Sequence, residues 1–223
     1  MAGAASAERG SMKRIFVIGT SSIPGEFIIP RLLTAIVARV PDIELRVDIA
    51  NSLQVFERVR KGEYSIGVIG TTYPSLEVEY ETIVAADRLV VIVPADHPLA
   101  DREGILPADL KRQSFIAREI GSGTRATYEQ AFREAGLAVR DLNAIAEVST
   151  AEGVVKAVAA GAGIAVASEL IARDAIARGT ICVLDIPLLR MERAFSIITR
   201  KQKELSEDAK KVIAVIRSVL HEP

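Results

Sequence analysis

Short apolar runs alternate with amphipathic segments of helical period from the first structured residue onward, and few folds accept that order. Arg14-Ile15-Phe16-Val17-Ile18-Gly19 is a compact apolar run, the pattern of a strand buried on both faces. After Thr20-Ser21-Ser22 and Pro24, the residues Ile28, Ile29, Leu32, Leu33, Ile36 and Val37 recur at helical spacing. Ser22 fits an N-cap region with proline in the first turn. Pro41 ends that helix, and Ile43, Leu45, Val47 and Ile49 alternate as a second strand. Asn51 or Ser52 caps a second helix running to about Lys61, Gly62 marks its stop, and residues 65–70 form a third strand. Right-handed crossovers turn a β-α-β-α-β series into a parallel sheet covered by helices. Loops at the carboxyl ends of such strands are where ligands are expected.

After the turn at Tyr73-Pro74-Ser75, residues 76–85 and 87–93 read as two further strands, and Pro94-Ala95-Asp96-His97-Pro98 breaks the chain. A second series then starts. A short helix at 107–110 and a strand at 114–118 precede a helix from Arg125 to about Gly136. A strand at 144–148, a helix at 152–160, a strand at 163–167, a helix at 169–178 and a strand at 180–185 follow. The second half repeats the architecture of the first without repeating its sequence. A strand at 194–199 and an amphipathic helix at 206–220 close the chain, and periodicity assigns them to neither half.

Several function classes are disfavoured. Twenty-eight Lys and Arg against 29 Asp and Glu leave a charge of -1, not the basic field of a chain that grips nucleic acid. The single cysteine, Cys182, lies in a strand-like run and reads as a buried inert thiol. With only two histidines beside it, a zinc site is not expected, nor any other metal or cofactor. No apolar run reaches membrane-spanning length, and residues 1–12 read as a disordered leader or tag. A reducing cytoplasm fits best.

Three places share one chemical design, with small hydroxyl residues or glycine between a strand end and a helix start. They are Gly19-Thr20-Ser21-Ser22, Gly121-Ser122-Gly123-Thr124-Arg125 and Ser149-Thr150-Ala151-Glu152, with Thr71-Thr72 as a fourth candidate on the same rim. Helix N-termini offer unpaired N–H groups and the positive end of the dipole, which suits carboxylate, sulfate or phosphate. Simple capping explains any one of them equally well. Arg125 adds a fork able to hold an anion bidentately. Catalytic machinery is not evident: His97 sits in a turn, His221 is near the end, and no nucleophile elbow or P-loop is present. Gly161-Ala162-Gly163 precedes a strand, so it reads as a helix-ending turn and not as a dinucleotide fingerprint.

Taken in order, these segments resemble the effector-binding domain of LysR-type transcriptional regulators, which has the type 2 periplasmic-binding-protein fold. The resemblance rests on the Ile-Gly-Thr-Ser-Ser opening with Pro30-Arg31-Leu32-Leu33 and on Tyr64-Ser65-Ile66-Gly67-Val68-Ile69-Gly70. It rests further on residues 91–99 followed by Ala108-Asp109-Leu110, and on residues 158–165. It implies an α/β protein of two Rossmann-like lobes joined by two crossing strands, with lobe I at 13–86 plus 191–223 and lobe II at 87–190. It also implies a small anionic metabolite as effector, held in the cleft by Thr20, Ser21, Ser22, Thr71, Thr124 and the Ser149-Thr150 turn. The candidate rim adds Thr72, Gly121, Ser122, Gly123 and Arg125. Within the family the Thr-Ser-Ser and Gly-Ser-Gly-Thr-Arg segments look most similar to regulators of sulfur assimilation. Side-by-side antiparallel homodimers are implied, tetramers in a full-length protein, with helix 52–61 and its Val55, Phe56 and Val59 at the dimer face. DNA would be reached only through a winged helix-turn-helix that this sequence does not contain. The alternatives are a solute-binding protein for transport of a small anion, and a dehydratase or deaminase on the same fold.

Overall fold

The computed structural model describes residues 13–221, so the leader expected at 1–12 lies outside the described residues, as does the side chain of His221. Along the first half run β1 (Arg14–Ser21), a π-helical turn at Pro24–Ile28 leading into α1 (Ile29–Arg39), and β2 (Ile43–Ala50). Next come α2 (Ser52–Lys61), β3 (Ile66–Ile69) and β4 (Val78–Pro94). The second half holds a 3-10 turn at Pro107–Arg112, β5 (Ser114–Arg118), α3 (Gly123–Glu134), β6 (Asn143–Val148) and α4 (Ala151–Ala159). It continues with β7 (Ala165–Ser168), α5 (Glu169–Ala177), β8 (Ile181–Leu184), β9 (Met191–Arg200) and α6 (Glu207–His221).

Local chemistry explains most of these boundaries. Asn51 accepts from the Gln54 N–H at 3.0 Å while Gln54 accepts from the Asn51 N–H at 3.3 Å, a reciprocal cap that starts α2. Gly62 ends that helix in the left-handed conformation, φ +78°, as read from its glycine. The 161–163 turn does more than end α4. A Cβ at Gly163 would stand 2.3 Å from the Ser114 carbonyl oxygen. Without one, Ile164 bonds to Ser114 and Ile116, which ties β5 and β6 to β7.

The strands assemble into two lobes of equivalent order. In lobe I the sequence across the sheet is β2-β1-β3-β9-β4, with β9 antiparallel to both of its neighbours. In lobe II it is β6-β5-β7-β4-β8, and there β4 takes the antiparallel place that β9 takes in lobe I. The architectural repeat is therefore real, and β4 and β9 are the two crossing strands shared between the halves. Residues 76–85 and 87–93 are not two strands, as expected, but parts of one. Pairing with β9 resumes at Asp87 after Val84, and register shifts between Thr82 and Val84 and between Val84 and Asp87 absorb the unpaired Ala85-Ala86 within one strand.

The inner strands of each sheet are buried on both faces, which is why β3 and β7 read as continuous apolar runs, whereas the edge strands β2 and β6 are mostly half-buried or exposed. In lobe I, α1 and α6 cover Phe16, Ile18 and Ile197, while α2 covers Ile69 and Ile198 from the other side. In lobe II, Leu89, Val91 and Val93 of β4 face α3, and their neighbours Val90 and Ile92 face α4 and α5. The terminal helix, unassigned by periodicity, packs Val212, Ile213 and Ile216 into lobe I. Cys182 is only partly buried in β8. Val55 and Val59 are fully enclosed and Phe56 is 4% exposed, so helix α2 turns these residues inward and does not offer them to a second copy.

Candidate functional site

β1 extends two residues further than its apolar run, so Thr20 and Ser21 belong to the strand and not to a loop after it. Parallel pairing with β2 through Ser21 and Ala50 holds them there. Thr20 is completely buried beneath Gly25, and its hydroxyl donates to the Ser21 carbonyl at 3.0 Å. Across the gap, α3 begins at Gly123, two residues before the expected start, because Ser122 is the cap that accepts the Arg125 N–H at 3.5 Å.

Five expected residues thereby meet. Ser21 and Ser22 from lobe I and Ser122, Gly123 and Thr124 from lobe II line one pocket between the lobes, with Asn51 and Ser52 at the start of α2. Several N–H groups at the α3 start lack intrahelical acceptors, so the helix presents its positive end there. As it stands the pocket has room for about one water molecule. The lobes already touch: the Gly121 carbonyl accepts from the Leu53 N–H at 3.1 Å and from the Tyr73 hydroxyl at 3.3 Å.

The other expected residues stand elsewhere. Thr20, Thr71, Thr72, Ser149 and Thr150 do not line this pocket, and neither do Gly121 and Arg125. Thr150 caps α4 through the Gly153 N–H at 3.2 Å and is exposed. The Arg125 guanidinium is occupied by Glu129 at 2.7 Å, Glu147 at 3.0 Å and the Arg118 carbonyl at 2.8 Å. Within the first turn of α3, its side chain is engaged by those carboxylates and does not line the pocket. His97 remains in its turn, where Nδ1 accepts the Leu99 N–H.

Two arginines missed by the sequence reading take the place expected of Arg125. Arg118, at the carboxyl end of β5, is 5% exposed; it donates to Glu119 at 3.0 and 3.2 Å and to the Ser149 carbonyl at 3.1 Å. Its location at a strand end beside the pocket was a usable signal. Arg193 on β9 is 7% exposed and donates to Asp87 at 2.8 Å and to Thr124 at 3.3 Å. Asp87 and Arg193 are register partners across the crossing strands, 106 residues apart, so no local pattern could have paired them. Burial pushes the Arg193 guanidinium below its ordinary pKa, Asp87 pulls it back, and the like charge of Arg118 pushes it down again. Among the described residues no group of three or more His, Cys, Asp or Glu could hold a metal, and no helix is long and apolar enough to cross a membrane.

Comparison with known proteins agrees with this architecture. Residues 9–221 match the LysR substrate binding domain family. The HTH-type transcriptional regulator CbbR of Xanthobacter flavus is 33% identical over 201 residues, 90% of this chain and 58% of the relative. CysL of Bacillus subtilis, also an HTH-type transcriptional regulator, is 31% identical over 90% of this chain and 66% of its own length. The chain thus spans less than two thirds of these relatives. Among solved structures, the Synechocystis PCC6803 CcmR regulatory domain in complex with 2-PG superposes with a TM-score of 0.83 at 25% identity, covering 94% of this chain and 99% of that one. The effector binding domain of QuiR in complex with shikimate, at 18% identity, shares the fold with a TM-score of 0.80 and coverages of 93% and 97%.

Proposed function

The chain belongs to the LysR substrate binding domain family, and from that premise we propose that it senses a small anionic effector in the inter-lobe pocket, so that a longer protein can control transcription. The observation that carries this reading is the meeting of Ser21, Ser22, Ser122, Gly123 and Thr124 with Arg118 and Arg193 at one gap. Hydroxyl donors, a helix N-terminus and two arginines there form an environment for an oxyanion and supply no nucleophile paired with a base. We place the lobe boundaries near residues 86 and 191 and assign Gly121 and the Ser149 carbonyl to shaping the walls. Thr20, Thr150 and Arg125 support the fold around the site, and Thr71 and Thr72 follow β3 on the rim outside the pocket. Because the effector would touch both lobes, its binding would bias their closure, which is how a ligand acquires leverage over a conformational equilibrium.

Calorimetry tests this reading with sulfate, thiosulfate, O-acetylserine and small carboxylates set against their uncharged amides. Charged members should bind and amides should not. Thr124→Val, which keeps the shape and removes the hydroxyl, should weaken binding about 10-fold or more, and Thr20→Val should change it little. An effector held as tightly by Thr124→Val as by the parent must sit elsewhere.

We further propose that the chain pairs as a homodimer through the open edges of the two sheets. β2 and β6 are equivalent edge strands of lobe I and lobe II, and β6 is exposed along most of its length with Ile145 at 51%. Beside the lobe I edge, Leu33 and Val37 of α1 remain partly exposed. An uncovered edge with apolar neighbours favours a partner. Sedimentation should report a dimer at high micromolar concentration, and Val37→Glu should shift the equilibrium toward monomer. A parent chain that stays monomeric there rules the pairing out.

A further inference from the structure

We propose that Arg193 is the charge-reading residue of the cleft and that, through Asp87, it links the effector's anionic group to the two crossing strands. The inference rests on the anion-binding reading given above and deepens it by naming the residue that discriminates charge and transmits occupancy.

The guanidinium of Arg193 is set by three neighbours. Nε donates to Asp87 Oδ2 at 2.8 Å, and Nη1 donates to Thr124 Oγ1 at 3.3 Å. The Phe195 ring lies against the plane, 5.0 Å from its centroid to Cζ. Asp87 is fixed in turn by the Ser168 hydroxyl at 2.6 Å, at the start of α5 in lobe II. Nη2 is buried and has no partner. Arginine carries five N–H donors, and buried donors are almost always satisfied, so a side chain 7% exposed with a whole terminal nitrogen unpaired needs an acceptor. Arg193 lines the pocket, and the gap beside it is where that acceptor would lie.

The surroundings leave space for a planar fork and little else. A Cβ on Gly70 would come within 3.2 Å of Nε, and one on Gly123 within 3.3 Å of Nη1 and 2.8 Å of Ser52 Oγ. Arg118 lines the same pocket, so two buried cations face one gap; burial chiefly lowers the Arg193 pKa, and the like charge of Arg118 adds a smaller push in the same direction. An oxyanion placed between them would relieve that repulsion while satisfying Nη2. Thr124 belongs to lobe II, and Asp87 and Arg193 to the strands on which the lobes turn. Occupancy at Nη2 therefore bears on three elements at once, which gives the ligand differential contact with open and closed arrangements.

The test uses the intact domain, with sulfate and malonate as charged probes and malonamide as the neutral one. Arg193→Lys keeps the charge and loses the fork; it should weaken sulfate and malonate binding about 30-fold, and Arg193→Gln should bind malonate no better than malonamide. A spin-label pair, one label per lobe on exposed helix positions, should show a distance change on saturation with sulfate in the parent and none in Arg193→Lys. Nitrogen-15 resonances of the Arg193 guanidinium in the unmutated protein should shift on sulfate addition, a readout that does not depend on any variant folding. Parent-like affinity and distance change in Arg193→Lys, or unmoved guanidinium resonances at saturating sulfate, overturn this inference while leaving the anion reading intact. Failure of the parent to bind any charged probe in preference to malonamide overturns both.

Discussion

Replacing Asp87 with alanine should destabilise the protein by about 3–5 kcal/mol, because it leaves the Arg193 cation buried without its counter-ion. The Asp87 side chain is 0% exposed, and its two oxygens accept from Arg193 Nε at 2.8 Å and Ser168 Oγ at 2.6 Å. Water cannot replace either bond without opening the crossing strands. Ser168 would keep its capping bond to the Leu170 N–H at 3.2 Å, so the loss falls mainly on the cation. The pair itself need not be strongly favourable. Its formation repays desolvation only in part, and removal of both charges should therefore be far milder than removal of one. Urea unfolding of Asp87→Ala, Arg193→Met and the double variant separates these terms. The double variant is expected to regain most of what Asp87→Ala loses. A cost below about 1 kcal/mol for Asp87→Ala would show that solvent reaches Arg193, contrary to the burial that isolates it.

Gly121→Val is expected to lower effector affinity about 100-fold, close to 2.7 kcal/mol, while the two lobes stay folded. Gly121 has φ +91°, a conformation that a β-branched residue resists. A Cβ there would stand 2.9 Å from Asn51 Oδ1 and 3.1 Å from Leu53 Cβ, on the opposite lobe. The added side chain would thus hold the 119–122 turn away from the α2 start and break the bonds that Gly121 accepts from Leu53 and Tyr73. Gly121 belongs to neither sheet core, so unfolding should remain close to that of the parent. Calorimetry gives the affinity, and small-angle scattering should show a larger radius of gyration with ligand present. Tight binding by Gly121→Val would mean that this lobe contact plays no part in holding the effector.

Much of the scaffold was legible because its determinants are local. The Asn51 cap, the Gly62 stop, the exact span of β5 and the apolar stripe of α6 each depend on residues within a turn or two of one another. The hydroxyl-rich starts of α3 and α4 were legible for the same reason, since a cap bonds three residues ahead. That both are caps said nothing about which one faces the cleft. Only the packing of lobe II aims the α3 start at Ser21 and Ser22 and leaves Thr150 in solvent.

By itself, then, the order of strands and helices determined an α/β chain of two similar halves, and the segments in that order pointed to the family and to an anion at helix starts. Tertiary structure decided what depends on distant pairing. It joined residues 78–94 into one crossing strand, turned Val55, Phe56 and Val59 inward, spent Arg125 on Glu129 and Glu147, and brought Arg193 to Asp87 across 106 positions. Capping and helical periodicity act within a few residues and leave a signature in the order of amino acids. A buried ion pair between register partners is set by which strands lie side by side, and that leaves no mark in either strand alone.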